Sequence, residues 1–315
     1  MANSFTNIND TIIVQDAFEA FKAGMAPLSG LSTSYDSEAS QKSEVIRVPV
    51  ATGRSAASRA DGASYEILTG NTIATTAVTL NQQQHAPWYL PDGAAGKTAV
   101  KVWEASAREC AYALAKKIFD DTLNLFTESH TTGFGNRDTF DVITVAVGSF
   151  DLDDVVTLQQ MLKSKGSIGP MSMYLTTAGA SSLRKDNQIQ NAAAFGTDEV
   201  LRSGEFNMPI YGMRAFEVTS FPATIAGQHT YGIVAVPSAV ALAVRPIEPQ
   251  DTSKLIDWQV VSDSDTGLSM GYRRWYNEST GIMWGTFEAL YGLSVVRPAA
   301  DSNDNTAGAV RVKSA

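Results

Sequence analysis

Three histidines, His85, His130 and His229, and a single cysteine, Cys110, are the side chains of this chain best suited to nucleophilic, proton-transfer or metal chemistry. The histidines lie far apart, and none has a second His, Cys or Asp at the helical spacing of a zinc site. Neither a Gly-x-Ser-x-Gly elbow nor a cysteine poised beside His and Asn occurs. Cys110 falls mid-helix on an apolar stripe, where a small buried hydrophobe is expected, and His130 lies just beyond that helix as a helix-end cation. The acidic groups Asp120-Asp121 and Asp151-Leu152-Asp153-Asp154 have the composition of a divalent-cation site or a carboxylate pair, and equally that of a solvated helix face or a helix start. Gly93-Ala94-Ala95-Gly96-Lys97-Thr98 approaches a phosphate-binding loop, but the first glycine of that loop is replaced by Pro91, which lacks an N–H and fixes φ. Asn277-Glu278-Ser279 matches a glycosylation acceptor and reads instead as a hairpin turn. No catalytic, cofactor-binding or metal-binding residue is therefore assigned.

The composition points to a folded chain with an acidic balance. The 315 residues are 44% hydrophobic and 9% aromatic, enough for a substantial core, and 24 Lys+Arg against 33 Asp+Glu leave a net charge of −9. Such a chain is not built mainly to grip nucleic-acid phosphates. One cysteine excludes an intramolecular disulfide. The start, MANSFTNINDTIIVQDAF, has neither a basic head nor a signal-length apolar run, and no stretch reaches the ~18 apolar residues of a membrane span. A protein made and used without crossing a membrane is expected.

Residues 1–44 read as an arm with one amphipathic helix, Asp10 to Ala23, on which Ile13, Ala17, Phe18 and Phe21 share a face. Strand character at 45–50 and 77–90, around a Gly/Ala/Ser/Thr-rich middle, predicts a long hairpin with a loose tip whose sides need cover from another molecule. The clearest helix is 101–129, with Trp103, Ala107, Cys110, Ala111, Leu114, Ile118, Leu125 and Phe126 at three- and four-residue spacing. A strand at 142–147, a helix opened by Asp151 and stopped at Gly166, a strand at 171–176 and a short helix at 177–185 follow. Further strands are expected at 213–219, 231–236 and 242–244, with a small helical turn started by Pro237-Ser238. After the linker-like 245–249 comes a strand at 258–262. Then LSMGYRRWYNESTGIMWGTFEALYGLSVVR alternates aromatic and polar residues in a two-stranded ribbon. The closing DSNDNTAGAVRVKSA reads as polar and partly mobile.

The order of arm, hairpin, long helix, interspersed α/β core and aromatic ribbon resembles that of tailed-phage major capsid proteins of the Hong Kong 97 type. Four segments carry the likeness. Residues 174–186, YLTTAGASSLRKD, resemble the strand, helix and Leu-Arg/Lys-Asp run of the family's axial domain. Residues 206–222, FNMPIYGMRAFEVTSFP, resemble its Gly, apolar strand and Ser-x-Pro segment. Residues 232–245, GIVAVPSAVALAVR, resemble the strand, Ala-rich turn and strand that follow, and 289–298, ALYGLSVVRP, the closing strand.

That resemblance implies an α+β fold of the Hong Kong 97 type. Its parts would be an N-terminal arm (1–44), an extended loop (45–90), a peripheral domain (91–149 and 247–288) with its spine helix at about 101–129, and an axial domain (150–246 and 289–315). It implies a shell of hexamers and pentamers forming the icosahedral head of a tailed double-stranded DNA phage, assembled in the bacterial host cytoplasm. The encapsulin-type nanocompartment, with the same fold and an enzyme cargo, is the alternative. Arm and loop would overlap neighbouring subunits, and neighbours would cover the ribbon's aromatics. Arg54, Arg59, Asp61, Tyr65, Trp275, Tyr276 and Trp284 are the expected intersubunit contacts. No lysine lies between Lys42 and Lys97, so the lysine–asparagine crosslinks of some family members are not expected. Only some forty residues precede the first strand, which implies a separate scaffolding protein, alongside a portal and possible decoration proteins. Packaged DNA would be enclosed without sequence-specific binding, as the acidic charge suits.

Overall fold

The computed structural model describes residues 10–34, 44–50, 61, 74–92, 100–126, 141–146, 148–164, 169–190, 209–218, 230–263, 268–296 and 308–314. Two helices and a sheet form its larger core. Helix α1, Asp10–Met25, buries Ile13, Val14, Ala17, Phe18, Phe21 and Met25, the three- and four-residue spacing of a single face. A 3₁₀ turn with Pro27 near its start, Ala26–Gly30, ends it. Helix α2, Val100–Asn124, is roughly 37 Å long at 1.5 Å per residue. It buries Trp103, Ala107, Ala111, Leu114, Ala115 and Ile118 in the same core as α1.

These helices cover a six-stranded sheet ordered β1 (Ser32–Ser34), β9 (Val240–Arg245), β12 (Ile282–Val295), β11 (Leu268–Asn277) and β10 (Asp257–Asp263). Strand β4, Gln82–Pro91, pairs antiparallel with β12. The fourteen-residue β12 is the shared member: Ile282–Glu288 bond β11, Leu290–Val295 bond β9, and Ile282–Tyr291 bond β4. Its hairpin with β11 turns at Asn277, whose Oδ1 accepts from the Ser279 N–H at 3.1 Å, while the Gly281 N–H donates to the Asn277 carbonyl at 2.9 Å. Gly281 closes the turn at φ 62°, which a side chain would strain. The turn reading of Asn277-Glu278-Ser279 is thus the observed one.

The smaller core lies on a five-stranded sheet ordered β5 (Asp141–Val145), β13 (Ala309–Ser314), β8 (Thr230–Ala235), β6 (Ser172–Thr176) and β7 (Arg214–Val218). Helices α3 (Leu152–Ser164) and α4 (Thr177–Arg184) contribute Leu152, Val155, Leu158, Leu162, Ala180 and Leu183 to it. A one-turn helix α5, Asn187–Gln190, follows. Asp151 opens α3 as a capping box: its Oδ1 accepts the Asp154 N–H at 3.1 Å and Asp154 Oδ2 accepts the Asp151 N–H at 3.2 Å. Asp186 adds a bond from the Leu152 N–H at 3.0 Å.

Several expectations from the sequence are corrected here. The strand expected at 77–90 is two strands that part at Leu80-Asn81. Only β3 (Ala74–Thr79) pairs with β2 (Val45–Val50), while β4 joins the large sheet. The base of the 45–79 hairpin needs no second molecule, because Ile46, Val48, Val78 and Leu80 pack with Ala241 and Ala243 of its own chain. The arm does not wait for a neighbour over residues 10–34, since α1 lies in the chain's own core and β1 pairs with β9. The closing segment contains β13, whose Ala309, Val310, Arg311 and Val312 are buried between β5 and β8. Pro237-Ser238 form a turn rather than a helix. Strand β12 runs through residues 288 and 289, β5 pairs within the five-stranded sheet and β9 within the six-stranded one.

Candidate intersubunit surface

Because side chains alternate across a strand, the register of β4, β12 and β11 sorts the ribbon's aromatics onto two faces. On the helix-facing side, Trp88 meets Trp103 of α2 and packs with Tyr272 and Phe287. The Trp88 ring lies 5.4 Å from Trp103, 5.0 Å from Phe287 and 6.0 Å from Tyr272. All four are buried. Gly285 makes room for them: a Cβ there would come within 2.5 Å of the Trp88 ring and 3.0 Å of Trp103. Half of the ribbon's aromatic content is therefore covered by the chain's own helices, a correction to the expectation that neighbours cover it.

On the opposite face, Tyr89, Trp284 and Trp275 stand in register across three adjacent strands. Trp275 and Trp284 stack at 6.1 Å with 7° between ring planes, and Tyr89 lies 5.2 Å from Trp284. Trp275 and Trp284 are half-buried, and Tyr89 is 59% exposed. Further along this face Arg273 bridges Glu288 at 3.0 Å and donates to the Ile247 carbonyl at 3.2 Å. Burial lifts the Glu288 carboxyl above its usual range, opposed by Arg273 and then by His85, its cross-strand neighbour on β4. Helix α2 packs on the other face of this sheet, where Trp103 meets Trp88.

Of the seven contact residues expected from the sequence, the structure brings Trp275 and Trp284 together. Tyr276 lies on the helix-facing side at the hairpin end, where its hydroxyl donates to Asp92 Oδ2 at 2.6 Å. Asp61 is exposed in a turn, and Arg54, Arg59 and Tyr65 lie outside the described residues. Tyr89 was not singled out in the sequence. Its signal is register: it sits directly opposite Trp284, which only the pairing of β4 with β12 reveals.

Among the described residues, several of the chemistry-bearing groups make contacts within the fold. The Cys110 thiol, half-buried, faces the Pro87 carbonyl at 3.8 Å. Asp121 accepts from Lys117 Nζ at 2.6 Å and from the Tyr291 hydroxyl. Among the described residues no three His, Cys, Asp or Glu side chains gather as a metal site, and no helix is long and apolar enough to cross a membrane. A cleft of about 210 Å³ beside Gly24, Tyr112, Lys116 and Glu217 is smaller than the ~300 Å³ at which small-molecule sites begin. His130, His229 and the 93–98 loop lie outside the described residues.

No protein-family model matches the chain, and no curated protein is significantly similar to it in sequence. Solved structures are similar in fold. One from Mycobacterium phage Che8 superposes with a TM-score of 0.56 at 18% identity, covering 91% of this chain and 90% of the other. The capsid structure of cyanophage P-SCSP1u gives 0.55 at 15% identity over 92% and 87%. The capsid of an empty GTA particle gives 0.54 at 13% identity over 92% and 90%. Over nearly its whole length, this α+β chain has the fold found in phage capsid structures.

Proposed function

We propose that the chain is the major capsid subunit of a tailed double-stranded DNA phage, joining copies of itself as hexamers and pentamers into a closed icosahedral head. The observation that carries this reading is the likeness of fold to capsid structures across about nine-tenths of both chains. A second copy is the natural cover for the Tyr89–Trp284–Trp275 row, because stacked aromatics on an open sheet face are the kind of anchor that protein interfaces bury.

In the Hong Kong 97 arrangement, the six-stranded sheet with α1 and α2 would be the peripheral domain and the five-stranded sheet with α3 and α4 the axial one. The 45–79 hairpin would be the extended loop, with Arg54, Arg59, Asp61 and Tyr65 meeting the adjacent subunit at its tip. A separate scaffolding protein and a portal complete the assembly, which encloses DNA without reading its sequence. The subunit's place is the virion, after assembly in the host cytoplasm.

Negative-stain electron microscopy of the protein expressed alone and separated by size tests the reading. Closed shells or capsomer-sized rings are expected, and a DNA-filled particle rather than an enzyme-filled one separates a phage head from a nanocompartment. A subunit that stays monomeric at high concentration, alone and with its candidate scaffold co-expressed, refutes it.

A further inference from the structure

The first residue of α1 ends among charged groups that are unusual inside a core. Asp10 is 8% exposed and Arg274 of β11 is 7% exposed. Arg274 Nη2 lies 2.7 Å from Asp10 Oδ2, and the Tyr272 hydroxyl donates to Asp10 Oδ1 at 3.2 Å. Asp257 of β10 sits directly across from Arg274, within hydrogen-bonding reach of Asp10, and accepts from Gln259 Nε2 at 2.8 Å. Two carboxyls thus stand at a junction that holds one guanidinium, which pairs with Asp10 and whose Nε and Nη1 meet no partner among the described residues. A buried arrangement with one carboxyl in excess is relieved by a proton.

We propose that Asp10, Asp257, Arg274 and Tyr272 form a proton-operated latch that holds the N-terminal helix on the edge of the six-stranded sheet and tightens when it takes up a proton. Four groups from three elements carry this: the latch is the polar junction between the start of α1 and strands β10 and β11. The groups acting on Asp10 are Arg274, Asp257 and Tyr272, and no charged group of α2 acts on it. Burial is the chief cause that lifts the Asp10 carboxyl from 3.8 to about 6. Arg274 opposes the rise and Asp257 adds to it. Tyr272, raised by burial and then by Asp10, stays protonated and remains a donor.

The direction follows from linkage. Between the ordinary carboxylate value and about 6, the docked helix binds a proton that the released helix does not, so docking strengthens on acidification and weakens as pH rises through about 6. The same shift makes release of α1 about tenfold rarer at pH 5 than at pH 7.5. The latch is independent of the capsid reading, because it is read on the subunit itself.

Hydrogen exchange of the full chain, followed by mass spectrometry and divided by intrinsic rates, tests it. Peptides over residues 10–25 should gain about tenfold protection between pH 7.5 and pH 5, while peptides from the five-stranded sheet stay level. Asp10→Asn should flatten the α1 profile, and Asp257→Asn should move it to lower pH and shrink the gain. A flat wild-type profile, a gain shared by every segment, or a full gain retained in Asp10→Asn overturns the proposal. If Asp10→Asn does not fold, the Asp257→Asn profile decides, and one unchanged from wild type overturns it.

Discussion

The two faces of one sheet should respond oppositely to loss of tryptophan, and a paired experiment on neighbouring residues measures this. Trp88 is 6% exposed and its ring meets three other aromatic rings. Truncating a buried Trp to Ala costs about 3–5 kcal/mol, and a site with so many rigid ring neighbours belongs at the upper end. That is a large share of a domain's stability of about 5–15 kcal/mol, so Trp88→Ala should unfold at much lower denaturant concentration. Trp275 and Trp284 are only half-buried and share one stack. Losing both should cost the isolated subunit about 2 kcal/mol, from one ring pair and partial burial. At an interface, by contrast, an aromatic anchor is worth about 2 kcal/mol or more, roughly thirtyfold in each pairwise contact. The double variant Trp275→Ala, Trp284→Ala should therefore stay folded yet fail to form shells at concentrations where the wild type does. Urea melts of dissociated subunits, with sizing and microscopy of assembled material, give both readouts. Wild-type shell formation by the double variant, or a loss of subunit stability as large as that of Trp88→Ala, refutes the division of the sheet into a core face and a contact face.

Gly285→Ala places a methyl group against Trp88 and Trp103 and should destabilise the subunit by about 1–3 kcal/mol without touching the outer row, as read by thermal or urea melting. Replacing residues 54–72 by a short turn should leave the subunit folded, because the base of that hairpin is packed on β9 through Ile46, Val48 and Val78. Shells made from it should dissociate at lower denaturant concentration, and unchanged shell stability would remove the hairpin as an intersubunit clamp.

What could be read from the sequence was what repeats at short range. Helices α1 and α2 announce themselves because Ile13, Ala17, Phe18 and Phe21, or Trp103, Ala107, Leu114 and Ile118, recur with the helical period and are buried as that period requires. The turn at Asn277 follows from local chemistry in the same way. Strand partners are not local. Nothing at Leu80-Asn81 punctuates the run from Ala74 to Pro91, since neither residue is Gly or Pro, so the change of partner from β2 to β12 there left no signal. The short Ala-Val-Arg-Val of β13 was hidden by the polar residues before it, although burial between two strands favours it. Trp275 and Trp284 were legible as contact candidates by type alone. Separating them from Tyr272 and Phe287 requires knowing which face the helices cover, and that depends on packing between segments far apart in the chain.

The Tyr89–Trp284–Trp275 row joins residues separated by nearly two hundred positions in the chain, brought side by side only when β4 docks along β12. Pairing at such separation must meet its loop-closure entropy before its contacts repay it, which slows its formation. A chain that has collapsed without completing the large sheet has no such row to present. The surface proposed to join subunits is then a checkpoint as well as an adhesive: immature chains are sticky in other ways, but they lack the patterned patch that a finished neighbour recognises, so assembly would select for subunits whose folding is complete.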